Sequence, residues 1–249
     1  MKKLISLFIL SAICLGANAQ TMVVKTNLLG YGLAAVDLTT INANFEYKIS
    51  PKNSIGIVGA IKPASTMTLK ATGTTNDDKL QYTGEISPKG YSLTPYFRMY
   101  SKDALKGFYF EVFARYFSYN FEIPYDYDKN GSNIRAYANG SASAFGGGVV
   151  IGTQVPIGKM FVLDFYGGLG LGVGNAHAET DDPNLEEEDF ADIKKEMDEL
   201  KANGDVNIII VGNIIDNMTY DANKTSAWAD IDGFPVPMLR GGISFGILF

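Results

Sequence analysis

The stretch that most constrains this chain is its last fourteen residues, Val236 to Phe249. Leu239, Gly241, Ile243, Phe245, Ile247 and Phe249 take one parity; Arg240, Gly242, Ser244 and Gly246 take the other. That is the period of a β-strand with one apolar face and one small or polar face. A strand this apolar, left at a sheet edge, would recruit other chains, so it is expected between two neighbours in a closed sheet. Phe245, Ile247 and the terminal Phe249 are read as the closing signal of an outer-membrane β-barrel.

The other end agrees with export. Lys2 and Lys3 precede an apolar core, Leu4 to Leu15, and Ala17-Asn18-Ala19 fits a small-x-small cleavage site. Residues 1–19 are therefore read as a signal peptide and residues 20–249 as one barrel. The single cysteine, Cys14, lies within that signal, so no disulfide is expected in the mature chain. A lipid anchor on Cys14 is disfavoured because Ile13 is bulky where that processing wants a small residue. No run of eighteen apolar residues follows, so any crossing of a membrane must be made by strands.

The expected class is all-β: an eight-stranded, antiparallel, up-and-down transmembrane barrel with a small α-helical extracellular insertion before the last strand. Strands are predicted over 23–29, 40–49, 54–62, 91–100, 108–125, 142–156, 161–174 and the C-terminal stretch. In the second, Ile41, Ala43, Phe45, Tyr47 and Ile49 alternate with Asn42, Asn44, Glu46 and Lys48. Short turns at Ser50–Asn53, Ser101–Gly107 and Pro156–Lys159 alternate with long loops, the asymmetry of bacterial barrels. Pro95 is awkward in its strand because it cannot donate to a ladder. A soluble lipocalin-like barrel is the alternative; the large aromatics on one parity and glycines on the other argue against it.

Residues 64–90 are expected to form a loop or protruding hairpin, and residues 175–235 a long insertion. Within the insertion, Asp181 to Gly204 reads as a helix, with Asp182 as cap and Pro183 in the first position. Leu185, Ile193, Met197 and Leu200, with Phe190 nearby, form its apolar stripe, expected to rest on the barrel rim, on the apolar run Val206 to Ile215 through Ile208, Ile210 and Ile214, or on a partner. Trp228 and Phe234 are candidate anchors of a cap over the barrel mouth. The acidity is local: the stretch Glu179 to Asp205 holds 12 of the 27 acidic residues but 3 of the 21 basic ones. Nucleic acid is an unsuitable partner for such a surface.

Lys25-Thr26-Asn27-Leu28-Leu29, Asn44-Phe45-Glu46-Tyr47 and Ser50-Pro51-Lys52-Asn53-Ser54 resemble a family of small outer-membrane barrels of unknown function from Bacteroidota. Some of its members are encoded near fimbrial or surface-polysaccharide genes. More loosely the chain is similar to OmpA-type eight-stranded barrels. The resemblance implies no catalytic residues.

Three constellations could carry chemistry. Lys25, Glu46, Lys48, Arg98, Glu111, Arg115, Asp164 and Arg240 share the lumen parity and are expected to pair, since unpaired buried charge is costly. Asp126, Asp128, Asn130 and Gly131 copy the opening of a calcium loop, but Tyr137 stands where its closing acid belongs; a hairpin tip at Asn130-Gly131 is the alternative. His177, the only histidine, is expected on the outer parity near Ser141, with Glu179 two residues on. Nucleophile, base and orienting acid at that level are what a lipid-A deacylase barrel requires. The preferred reading is a non-enzymatic scaffold that presents loops at the cell surface, without cofactor or metal. The runner-up is a lipid hydrolase using Ser141, His177 and Glu179; a small, weakly conducting channel is the third. The expected partners are outer-membrane lipid and lipopolysaccharide, the barrel-assembly machinery, and a surface or fimbrial protein.

Overall fold

The computed structural model describes residues 21–28, 40–74, 79–129, 132–203, 205–208, 212–213 and 217–249. The signal peptide read over 1–19, most of the first loop, and Asn130, Gly131, Gly204, Ile210 and Ile214 lie outside these described residues.

Alternation of apolar and polar side chains makes the strands. In chain order they are β1 (Met22–Asn27), β2 (Ile41–Lys48), β3 (Asn53–Lys62), β4 (Met67–Thr74), β5 (Lys79–Ile86), β6 (Lys89–Tyr100), β7 (Gly107–Lys129), β8 (Ser132–Ile157) and β9 (Phe161–Thr180). Helix α1 (Glu187–Asn203) follows, then β10 (Asp205–Ile208), β11 (Gly212–Asn213), β12 (Met218–Ala222), β13 (Ala227–Pro237) and β14 (Arg240–Leu248). Eight of these, β1, β2, β3, β6, β7, β8, β9 and β14, pair antiparallel with their neighbours all the way round. The sheet closes where β14 lies between β9 and β1, with Thr26 opposite Phe245 and Ile243 opposite Phe165. The fold is thus an all-β, eight-stranded antiparallel closed barrel with, among the described residues, one short helix before its last strand.

The three short turns sit at one end. Ser50 Oγ accepts the Asn53 N–H at 3.0 Å, and Gly158 takes φ +64° in the turn after β8. Leu105 adopts φ +69°, a strained conformation for a branched residue. It is held there because its side chain packs with Val23, Val162 and Leu248 under the barrel, and its carbonyl accepts the Gln154 amide at 3.0 Å. Pro95 pairs with Ile57 on β3, while the β6–β7 ladder skips residues 94–95. The missing donor falls in that gap.

At the opposite end the strands overrun the barrel. β7 and β8 stay paired as far as Lys129 and Ser132, and β9 continues to Thr180. β9 pairs with β14 through residues 161–168 and with β13 through residues 171–180; β13 in turn pairs with β12. The two ends of the expected 175–235 insertion, residues 175–180 and 227–235, are therefore wall, because Thr180 pairs directly with Ala227 and the true excursion is 181–226. The stretch 64–90 contains the β4–β5 hairpin, and β10 pairs with β4 in a second small sheet with β11.

The helix begins at Glu187, later than expected, because Asp182 is committed elsewhere. Its carboxylate accepts the N–H groups of Tyr137 on β8 and of Asn184. The cap is formed instead by Asp189, whose carboxylate accepts the Glu186 N–H at 2.7 Å. Leu185 and Phe190 bury against Ala136 and Ala227, with Ile193 and Ala222 beside them. Among the described residues the helix thus rests on the lumen-side face of the extended sheet; the expected contacts with Ile210 and Ile214 lie outside them. Trp228 and Phe234 are half-buried positions of β13 itself.

Candidate functional site

Parity decides which side chains meet in the lumen. Lys25 of β1 donates to Glu46 at 2.5 Å and to Asp164 at 2.8 Å. Arg98 of β6 donates to Glu46 at 3.0 Å, to Asp164 at 2.9 Å and, through Nε, to Glu111 at 2.7 Å. Arg240 of β14 donates through Nε to the other Glu111 oxygen at 2.7 Å. The side chains of these six residues are 0% exposed. Three cations thus face three carboxylates in a dry layer.

The uncharged members of that layer follow the same parity and were open to the same reasoning. Ser54 and Tyr100 both donate to Glu46 Oε1 at 2.6 Å, and Tyr109 donates to Asp164 Oδ1 at 2.7 Å. Gln154 Oε1 accepts from Lys25 at 2.9 Å and from Arg98 at 3.2 Å. Each oxygen of the three carboxylates has a donor. The Arg98 guanidinium also lies 4.0 Å from the Tyr109 ring centre, and Arg240 lies 5.2 Å from the rings of Tyr96 and Tyr166. Every one of the eight barrel strands contributes to the layer, which closes the bore at its level.

Two charges expected there are placed differently. Lys48 ends β2 and is only half-buried, because its strand has reached the turn end of the barrel. Arg115 sits toward the other end, donating to Thr94 Oγ1 at 3.1 Å and to the Leu239 carbonyl at 2.8 Å. Lys62, not among the charges expected there, shares the parity of Ser54; it is 1% exposed and donates to Ser65 at 2.6 Å. Beyond the ionic layer the wall is lined by Gly146, Gly148, Gly168, Gly170 and Gly172, and Met238 fills the space: its methyl lies 2.4 Å from where a Cβ on Gly172 would be.

A second polar arrangement lies on the outer face, above the apolar surface. Ladder register puts Lys89 opposite Asn120, Asn120 opposite Ser141, Ser141 opposite His177 and His177 opposite Asp230. Five adjacent strands therefore present one polar row. A cavity of about 520 Å³ runs along it, lined by Lys89, Asn120, Asn139, Ser141, His177 and Glu179 among others. His177 Nδ1 lies 2.6 Å from Asp230 Oδ1, whereas His177 Nε2 is 3.8 Å from Glu179 Oε2, beyond hydrogen-bond reach. The acid that orients the histidine is thus Asp230, one strand over in the same row. Glu179 stands one row higher, opposite Trp228. An ionised Asp230 can only accept, so Nδ1 carries the hydrogen of that bond.

Asp126 and Asp128 fall on β7 opposite Arg135 and Asn133, and Tyr137 pairs with Pro124. A ladder runs through this stretch where a calcium loop would curl around its ion; Asn130 lies outside the described residues.

A closed antiparallel barrel of eight strands with a side-chain-filled lumen is the class these features define. The chain belongs to the family of proteins of unknown function DUF3575, whose model matches residues 5–202, from the N-terminal stretch into α1. No curated protein and no solved structure matches it.

Proposed function

We propose that this protein is a barrel that spans a membrane with its bore closed, and that its working surface is the sheet continuing beyond the bilayer. The observation that carries this is the outer face of the barrel. Ile41 and Leu171 are each 73% exposed, Leu169 66% and Phe145 64%, among many others all around the wall. A continuous apolar surface of this extent is untenable in water and suits lipid. On β8 the apolar outward positions run from Phe145 to Ile157. Thirteen residues at about 3.3 Å each, tilted by about 40°, give a belt about 30 Å tall, the thickness of a hydrocarbon core. Aromatic pairs flank it, Tyr91–Tyr116 at one side and Phe161–Phe245 at the other.

The paired, dry ionic layer favours a rigid plug over a channel, since a narrow barrel gains no conduction from charges that neutralise one another. The leader-like residues 1–19 and the resemblance to small barrels of Bacteroidota favour the outer membrane. Lipid, lipopolysaccharide and the barrel-assembly machinery are then the immediate partners, and the acidic helix with its supporting sheet is the surface offered to a protein partner. The test is electrophoretic mobility with and without boiling, together with flotation on lipid vesicles. An unboiled band of altered mobility that floats with lipid is expected; identical mobility and a soluble protein would overturn the reading.

A further inference from the structure

The outer polar row has an order that a scaffold does not need. Across β7, β8, β9 and β13 it runs amide, hydroxyl, imidazole, carboxylate: Asn120, Ser141, His177, Asp230. The imidazole is already fixed on its acid, at 2.6 Å through Nδ1. Among the described residues its Nε2 makes no hydrogen bond, Glu179 standing 3.8 Å away. Ser141 faces His177 across the ladder, and both line the 520 Å³ cavity. A hydroxyl beside an imidazole oriented by a carboxylate is the minimum that nucleophilic acyl transfer requires.

The level of the row indicates what enters it. Ser141 lies four residues beyond Phe145, the last apolar position of the belt on β8. At about 3.3 Å per residue and about 40° of tilt this is about 10 Å above the belt edge, among lipid headgroups.

We propose that Asn120, Ser141, His177 and Asp230 form a hydrolytic site for carboxylic esters carried at headgroup level, a reading that rests on the membrane-spanning barrel proposed above. Ser141 Oγ bonds to the ester carbonyl carbon while its proton passes to His177 Nε2. The tetrahedral adduct then collapses, breaking the bond to the alcohol oxygen, which leaves with that proton. Water repeats the sequence on the acyl-serine, giving the free carboxylic acid and restoring the hydroxyl. The Asn120 side-chain amide, on the far side of Ser141 from the histidine, donates to the oxyanion. Asp230 is a positioning residue: it holds the tautomer and the ring and touches no substrate.

The experiment uses the full chain inserted in vesicles and confirmed as a barrel by its heat-dependent mobility. One set of vesicles contains phosphatidylethanolamine alone; the other also carries an O-acylated disaccharide lipid. Released acid is measured, and a fluorophosphonate probe is followed by mass spectrometry. Acid release from either set, with an adduct on Ser141, is expected, and the responding set tells whether the ester belongs to a glycerol lipid or a sugar headgroup. Ser141→Ala and His177→Ala are expected to lower release at least about 100-fold. Asp230→Asn is expected to lower kcat on the order of 100-fold with little change in KM, while Asp230→Glu recovers at least a tenth of the parent rate. No acid release and no Ser141 adduct from a correctly inserted barrel would overturn the site and leave the membrane reading intact. Loss of heat-dependent mobility in the parent chain would overturn the membrane reading itself.

Discussion

Arg98 reaches all three acids of the ionic layer through two nitrogens, so its removal leaves three carboxylates to two cations, Lys25 and Arg240, in a dry interior. Arg98→Ala is expected to cost about 3–5 kcal/mol, because the partners cannot regain water. Lys48, half-buried at the turn end, is the internal comparison: Lys48→Ala is expected to stay within about 0.5 kcal/mol. Urea unfolding of the detergent-folded barrel, followed by gel mobility, checks both. Equal losses would mean that the ionic layer contributes no more than an ordinary rim charge. The glycines that line the same wall make a different demand. A Cβ on Gly170 would sit 2.1 Å from the Gly147 carbonyl oxygen, so β8 and β9 approach too closely for any side chain there. Gly170→Val is expected to destabilise by about 1–3 kcal/mol or more in the same assay.

At the scale of elements, the question is how the 181–226 excursion is attached. Thr180 and Ala227 face each other at its base, so the wall needs only a turn to connect them. Replacing residues 181–226 by a four-residue Gly/Asn turn is expected to leave the heat-dependent mobility intact; loss of folding would show that α1 or β12 is required to close the sheet. The docking of α1 carries its own pH dependence. Hydrogen bonds from the Asn184 and Tyr137 N–H groups hold the Asp182 carboxyl below its ordinary range. A depressed carboxyl stabilises the folded state above its unfolded pKa of about 3.9, and that contribution is lost as pH falls through the lower, folded value. Hydrogen exchange in 183–203 is therefore expected to rise more steeply below about pH 4 in the parent than in Asp182→Asn, where the group no longer titrates. Identical profiles would show that Asp182 does not anchor the helix.

For the whole molecule, the ionic layer and the apolar belt make a joint statement. One fills the bore with mutually neutral charge, and the other is the apolar surface that the proposed membrane reading sets against lipid. Planar-bilayer recordings of the inserted protein are expected to show no resolvable unit conductance, because every strand contributes a side chain to the plug. Stable, ion-selective openings would mean that the network parts in the membrane and would restore the channel reading.

The wall of the barrel was legible in the sequence because each barrel strand alternates with period two, and that period alone sorts Lys25, Glu46, Arg98, Glu111, Asp164 and Arg240 to one side. Short turns at Ser50–Asn53 and Pro156–Lys159 were equally legible, since proline and glycine set backbone angles locally. Parity, however, says which face a residue takes and not how far along the barrel it lies. Only the register between strands could remove Lys48 from the ionic layer and bring in Gln154 and Tyr109. The outer row shows the same limit. Ser141 and His177 could be set opposite each other by counting from their shared turn, since β8 and β9 form one hairpin. Asp230 could not be found that way, because it reaches His177 from a strand 53 residues away whose pairing passes through a bulge between Ile231 and Phe234. Nearness in sequence points to Glu179 instead. The acid that binds the imidazole is decided by which strand the closed sheet sets beside β9, and that is a property of the assembled wall.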